Sequence, residues 1–270
     1  MPRRPTGRRA RPDRSPAVFD TRRFRYDPTD AWIRRYASGD PGGPLVVVLP
    51  HAGGSATSYR PLAQLIGGGA EVWVVQYPAR QDRYREPPAR SMDELASSVT
   101  TALLAADRDQ SPLLFGHSMG ALLAFEVALR LERSGRGVHH LVVSGRGAPS
   151  VPFISDVATG DDDAVIAELI RLDGTDPLIL AEPELLALAL PVIRADYALV
   201  EGWTTQPGAQ VACSITVCVG DRDPLLSPED VARWQDHTSV RPVSVHTFTG
   251  GHFYLVEHVE TVAAVVRGLT

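Results

Sequence analysis

Gly116-His117-Ser118-Met119-Gly120 follows the apolar run Pro112-Leu113-Leu114-Phe115 and opens a helical stretch over residues 121–129. A strand, a sharp turn carrying serine, then a helix is the context in which Gly-x-Ser-x-Gly holds a nucleophile. Small residues at 116 and 120 let the backbone pack closely around a strained Ser118. The strain turns the hydroxyl out over the edge of a sheet, where a substrate carbonyl can meet it. A chance Gly/Ser turn is the competing explanation, and the strand and helix on either side disfavour it.

Such an elbow needs a sheet to stand on. From Trp32 onward, β-rich apolar runs alternate with helical patterns, the signature of an α/β fold with a mainly parallel sheet flanked by helices. Strands are expected over residues 45–49, 72–77, 138–144, 211–219 and 243–248, besides the one before Ser118. Helices are expected near residues 92–106, after the elbow as far as Ser134-Gly135, near 228–236 and over 256–268. The interval 147–210 is longer than a strand-helix-strand crossover requires. It holds helical runs near 163–172 and 184–200, interrupted by Gly174, Pro177, Pro183 and Pro191, with dense apolar residues such as Leu178, Ile179, Leu185 and Leu188. This reads as a helical lid inserted over the active-site edge; an ordinary piece of core is the alternative.

The 270 residues are 44% hydrophobic and 22% charged, ordinary for a chain that buries one large core. No apolar run is long enough to span a bilayer, and the N-terminus lacks the apolar stretch of a secretory signal. A cytoplasmic protein without a membrane partner is expected. Neither lysine nor asparagine occurs, so all 27 basic residues are arginine, which fits codon bias in a GC-rich genome. Residues 1–25 carry a formal charge of +7 and few large apolar residues, and read as a disordered basic extension. Residues 26–270 carry −12 and form the folded domain. That acidic body argues against nucleic acid as a partner. Cys213 and Cys218 fall in one expected strand on opposite faces, so they do not pair. Nothing has metal-ligand spacing, and no metal or cofactor is expected.

A serine hydroxyl needs a base, and the base needs an anion to fix its tautomer. Among eight histidines, His139, His140 and His246 lie within strands, and His237 and His258 belong to helices. His117 precedes Ser118 along its strand and points away from the hydroxyl. His252 follows a late strand in the glycine-rich loop Gly250-Gly251-His252, from which a side chain can reach over the sheet edge, and is the expected base. For the acid, the loop Gly220-Asp221-Arg222-Asp223-Pro224 offers two carboxylates. In the fold family that this arrangement resembles, the Gly-x-x-Asp spacing from Gly220 favours Asp223, and Asp221 is the more natural turn residue. The order Ser118, Asp223, His252 is that of α/β-hydrolases. Oxyanion donors are expected from the N–H of Met119, after the nucleophile, and of Ala52, in the loop after residues 45–49.

Pro50-His51-Ala52-Gly53-Gly54-Ser55-Ala56, Tyr59-Arg60-Pro61-Leu62 and Gln76-Tyr77-Pro78-Ala79-Arg80-Gln81-Asp82-Arg83 resemble segments of the type II thioesterases of polyketide and nonribosomal peptide assembly lines. The elbow, Gly220-Asp221-Arg222-Asp223-Pro224 and Gly250-Gly251-His252-Phe253 continue the resemblance, in order, from Trp32 to the C-terminus. Ala79 stands where the family commonly has glycine, and the basic extension exceeds what the family usually carries. The resemblance implies hydrolysis of acyl groups from the phosphopantetheine thiol of an acyl or peptidyl carrier protein, a transient partner; a monomer is expected, although the sequence leaves dimerisation open. With an acidic body and a usually acidic carrier, Arg80, Arg83, Arg85 and Arg90 are candidates for a docking patch, with a solvated basic loop as the alternative. A carboxylesterase or a product-releasing thioesterase could use the same triad. A noncatalytic binding module would have no need of one.

Overall fold

A computed structural model of the chain describes residues 31–270 apart from 107, 109, 175–179 and 181. The basic extension, Pro177, Leu178 and Ile179 therefore lie outside the described residues. Seven strands among those described form one sheet: β1 (Ile33–Ala37), β2 (Leu45–Leu49), β3 (Glu71–Val75), β4 (Leu113–His117), β5 (His140–Ser144), β6 (Ser214–Gly220) and β7 (Ser244–Phe248). Their spatial order is β1-β3-β2-β4-β5-β6-β7. Only β1 runs antiparallel to its neighbour; every other pairing is parallel.

The central strands are buried on both faces, and their residues alternate between two cores with the period of two that a pleated strand imposes. Leu45, Val47 and Leu49 join one core, and Val46 and Val48 the other. The first core is covered by α2 (Met92–Ala105) and α3 (Met119–Arg133), and the second by α1 (Arg60–Ile66) and α8 (Val259–Arg267). Cys213 packs in the first core and Cys218 in the second, and both are free thiols. Burial raises both thiols to about 12, which keeps them protonated and inert.

Two long helices, α4 (Asp162–Leu172) and α5 (Pro183–Glu201), stand between β5 and β6. Asp161 caps α4 by accepting the Ala164 N–H at 3.0 Å. Pro191, expected to interrupt, lies inside α5, which runs through it. That proline removes one backbone donor from the helix interior, yet the helix is held by contacts from Leu190, Ile193 and Tyr197 to Val157 and Val165. Leu199 and Val200 reach the main core instead. Leu185 and Leu188 stay 46% and 74% exposed, so the helix is amphipathic only over its second half. The C-terminal helix, by contrast, is divided into α7 (Tyr254–Glu257) and α8, with His258 between them. A short α6 (Pro228–Ala232), capped by Ser227, precedes a 3-10 turn over Arg233–His237. No helix among the described residues is long and apolar enough to cross a membrane.

The elbow is a place where backbone packs directly on backbone. A Cβ at Gly116 would lie 2.0 Å from the Gly120 carbonyl oxygen, and one at Gly120 would lie 2.0 Å from the Leu49 carbonyl oxygen. Real Cβ atoms do not approach so closely, and backbone on both sides leaves nothing flexible to yield. Gly120→Ala should therefore cost about 3 kcal/mol or more in urea unfolding. Gly135→Ala, at φ +81 with nothing within 4 Å, should cost only about 1 kcal/mol of left-handed strain. Equal losses at the two positions would contradict this account of the elbow.

Candidate active site

Because the strands from β2 to β7 run parallel, their C-terminal ends share one edge, and the loops that follow them carry the candidate residues. Ser118 sits between β4 and α3 at φ 54, ψ −116, a left-handed conformation that a non-glycine residue adopts only under constraint. Its N–H donates to the Ser144 carbonyl at 2.8 Å and its carbonyl accepts the Ala121 N–H, so the turn is pinned on both sides. Met119 opens α3, and the first N–H groups of a helix have no intrahelical acceptor. Its donor and the positive end of the helix dipole lie beside the serine.

His252 and Asp223 come from the loops after β7 and β6. These loops are laced together. Asp221 N–H donates to Phe248, Arg222 N–H to Gly250, and Gly250 N–H to Asp221 Oδ1 at 2.9 Å. Asp221 is thus a turn residue on the surface. Asp223 has its side chain 0% exposed, with Oδ2 2.8 Å from His252 Nδ1 and Oδ1 accepting the Leu225 N–H at 3.0 Å. A buried carboxylate in this position holds the Nδ1 proton and leaves Nε2 as the free, basic nitrogen. Arg146, buried with its guanidinium 4.1 Å from the Phe153 ring centroid, adds a positive charge near Asp223. Burial lowers this arginine to about 10.

Three imidazoles cluster here, where the sequence singled out one. The His117 ring lies 5.0 Å from that of His252 and 6.0 Å from that of His51, and Phe253 packs against all three. His117 Nδ1 bonds Ser144 Oγ at 2.8 Å, which bonds the Tyr254 hydroxyl at 2.6 Å. His117 Nε2 is buried without a hydrogen-bond partner. Gly145, the residue after β5, makes room for both rings: a Cβ there would stand 2.6 Å from His117 Cε1 and 3.3 Å from His252 Cε1. His51, which the sequence offered only as part of a loop, lies 2.7 Å through Nδ1 from the Tyr59 hydroxyl. Four of the other five histidines have hydrogen-bonded structural surroundings: His140 bonds Thr216, His237 bonds Ser150 and Ala209, His139 bonds Leu269, and His258 bonds Thr249, while His246 is exposed on β7.

Ala52 lies half-buried in the loop after β2, against the apolar contacts of α4 and α5. Its neighbours in that loop have occupied donors. His51 N–H reaches Tyr59, Gly53 N–H reaches Asp196, Gly54 N–H reaches the His51 carbonyl, and Ala56 N–H reaches Gln76. Ala52 N–H has no acceptor among the described residues.

The four-arginine patch does not assemble. Arg80 is buried in an ion pair with Asp196. Arg83 is buried between Glu86 and the Trp32 ring, 4.1 Å from its centroid. Both carry their charge inward because acceptors await them there; Arg85 and Arg90 alone of the four stay exposed. Ala79, in the glycine position of the resemblance, takes φ 67, so the loop keeps the left-handed turn at a cost in strain. A groove of about 720 Å³ opens between this loop and α5, lined by Gly53, Arg80, Tyr84, Leu185 and Leu188 among others.

Burial holds His117 well below its ordinary value of 6.5 and His51 down to about 3. In the unfolded chain both take up a proton near 6.5; in the folded chain they do not. Stability is therefore complete above that value and falls as the pH drops below it. His117 alone contributes up to about 1.4 kcal/mol per pH unit. Urea unfolding at pH 7.5 and 5.5 should show this loss, and His117→Gln should reduce it to the part that His51 contributes. A wild-type stability unchanged between the two would contradict the neutral cluster.

Residues 44–269 match the family described as the thioesterase domain. A probable cadicidin biosynthesis thioesterase of Streptomyces griseus is 44% identical over 236 residues, covering 87% of this chain and 65% of the relative. Thioesterase PikA5 of Streptomyces venezuelae is 42% identical, over 83% of this chain and 80% of the relative. The chain thus spans slightly under two thirds of the first relative and four fifths of the second. Among solved structures, the type II thioesterase BorB of the borrelidin biosynthetic cluster superposes with a TM-score of 0.82 at 42% identity, covering 89% of this chain and 98% of that one. The RedJ thioesterase of the prodiginine pathway in Streptomyces coelicolor gives 0.80 at 32% identity, covering 87% and 89%. With the sheet order, the elbow and the family match in agreement, the chain belongs to the thioesterase family.

Proposed function

We propose that the protein is a type II, editing thioesterase that hydrolyses acyl groups from the phosphopantetheine thiol of acyl or peptidyl carrier proteins in polyketide or nonribosomal peptide biosynthesis. The observation that carries the reading is the buried Asp223–His252 pair at 2.8 Å, on loops at the same sheet edge as the strained Ser118. Among the proteins it resembles are a biosynthetic thioesterase, the type II thioesterase BorB of a biosynthetic cluster and the type II thioesterase YbtT of an NRPS/PKS pathway, which supports the substrate class.

In this reading Ser118 Oγ attacks the thioester carbonyl carbon while His252 Nε2 takes its proton. Asp223 holds the imidazole and stabilises its cation. The carbonyl π bond opens to an oxyanion that the N–H groups of Ala52 and Met119 receive, an interaction worth about 3 kcal/mol per donor in the transition state. The C–S bond then breaks, His252 returns the proton to sulfur, and an acyl-serine remains. Water, deprotonated by His252, attacks that ester; the tetrahedral adduct collapses to free acid and a regenerated serine. Water alone balances both halves, so the reaction calls for no cofactor. A thiolate leaves readily, and positioning with oxyanion stabilisation supplies most of the acceleration. The insertion at residues 147–210 acts as the lid, and the groove beside α5 offers the acyl-pantetheine chain a path along an apolar wall.

Hydrolysis of a panel of acyl-loaded carrier proteins, free acyl thioesters and simple esters tests the reading. Wild type should favour acyl-carrier thioesters by at least about tenfold in kcat/KM. Ser118→Ala should lose about 10³-fold or more. Turnover of esters with none of the carriers would indicate a carboxylesterase instead, and a cyclised product would indicate a product-releasing enzyme.

A further inference from the structure

The best-buried arginine–carboxylate pair among the described residues joins the helical insertion to the loop that holds Ala52. Arg80 and Asp196, 116 positions apart, meet in a two-pronged contact: Nη1 to Oδ2 at 2.7 Å and Nη2 to Oδ1 at 2.9 Å. Their side chains are 7% and 3% exposed. Pairing of this geometry is strong and directional. Neither group touches the Asp223–His252 pair, and the reaction written above uses neither.

Their remaining contacts converge on one turn. Asp196 Oδ2 accepts the Gly53 N–H at 2.7 Å, and Arg80 Nη1 donates to the Gly54 carbonyl at 3.0 Å. Arg80 Nε is fixed by the Pro78 carbonyl at 3.1 Å. The turn itself is closed by Gly54 N–H on the His51 carbonyl at 2.9 Å. That carbonyl and the Ala52 N–H belong to one trans peptide, so they point in opposite directions. Holding the carbonyl toward Gly54 aims the Ala52 N–H away from the turn. Holding Gly53 and Gly54 on the ion pair then stops that plane from rotating. Ile193, one helical turn before Asp196, closes the other side: a Cβ at Gly53 would meet its Cγ1 at 2.8 Å.

We infer that Arg80 and Asp196 are positioning residues that set the direction of the Ala52 donor, and that α5 thereby orients the oxyanion hole. The inference rests on the proposed role of Ala52, though not on the identity of the acyl donor. An acceptor for one N–H could be any polar group; a charged pair gripping the Gly53 N–H and the Gly54 carbonyl holds the 52–53 and 54–55 peptides, the two ends of the segment that follows Ala52 in the turn.

The test compares wild type with Arg80→Met/Asp196→Leu, which replaces the pair by apolar groups of similar bulk and so avoids stranding one buried charge. Activity is read on an acyl-carrier thioester and on a p-nitrophenyl ester, together with inhibition by an alkylboronic acid, whose serine adduct mimics the tetrahedral oxyanion. The variant should keep its cooperative unfolding and lose about 100-fold in kcat on both substrates, the scale of one lost oxyanion donor. KM should stay within threefold, and the boronate Ki should rise by a factor similar to the loss in kcat. A kcat and Ki within threefold of wild type, or a rise in KM alone, would overturn the inference. If the double variant does not fold, Asp196→Asn decides: it keeps an acceptor for Gly53 and loses the charge. It should lose about tenfold in kcat at unchanged KM, and wild-type kcat would again overturn the inference. Ester turnover without any carrier turnover would remove the proposed substrate and leave the ion pair tested on the ester. A wild type inactive on both substrates would overturn both readings.

Discussion

Backbone meets backbone where α3 leaves β4, and the geometry of the site follows from that contact. Gly116 and Gly120 have no side chains to hold the helix off the sheet, so α3 seats against the Leu49 carbonyl and Ser118 is forced to φ 54. The serine cannot relax without separating a helix from two strands. Around it the parallel order brings the ends of β2, β4, β5, β6 and β7 to one edge. Ala52, Ser118, Gly145, Asp223 and His252 are therefore neighbours because of topology, although up to 200 residues of chain separate them.

Burial then decides what the polar groups at that edge can do. His117 and His51 stay uncharged beside His252, which spares it two cationic neighbours and lets the Asp223 carboxylate govern its tautomer. The buried charges that do persist are paired or placed against a ring: Arg80 with Asp196, Arg83 with Glu86, Arg146 over Phe153. Such groups are costly to desolvate. Arg80 on the Ala52 turn and Arg146 beside Asp223 put that cost where orientation matters most.

Much of the fold could be read from residue pattern, because buried parallel strands are short apolar runs and Gly-x-Ser-x-Gly carries its own flanks. The run 45–49 coincides with β2, and α2 and α5 lie within a residue or two of the expected spans. β1 gave no such signal: Ile33–Ala37 includes two arginines, and it becomes a strand only through pairing with β3. Pro191 misled because local propensity reads a break where tertiary packing carries the helix through. At the site, Asp223 and His252 could be found from their loops. His51 and Gly145 could not, since their importance lies in contacts made after the strands align. Arg80 read as a surface charge because Asp196, its reason for being buried, is 116 residues distant.

The central claim is that acyl transfer passes through Ser118. Its most direct test is a rapid-quench reaction with an acyl-loaded carrier protein, followed by acid trapping and peptide mass analysis. The account predicts a transient mass increase equal to the acyl group on the peptide containing Ser118, decaying at the rate at which free acid appears. Steady release of acid with no acyl-serine at any time, or an adduct on another residue, would contradict it.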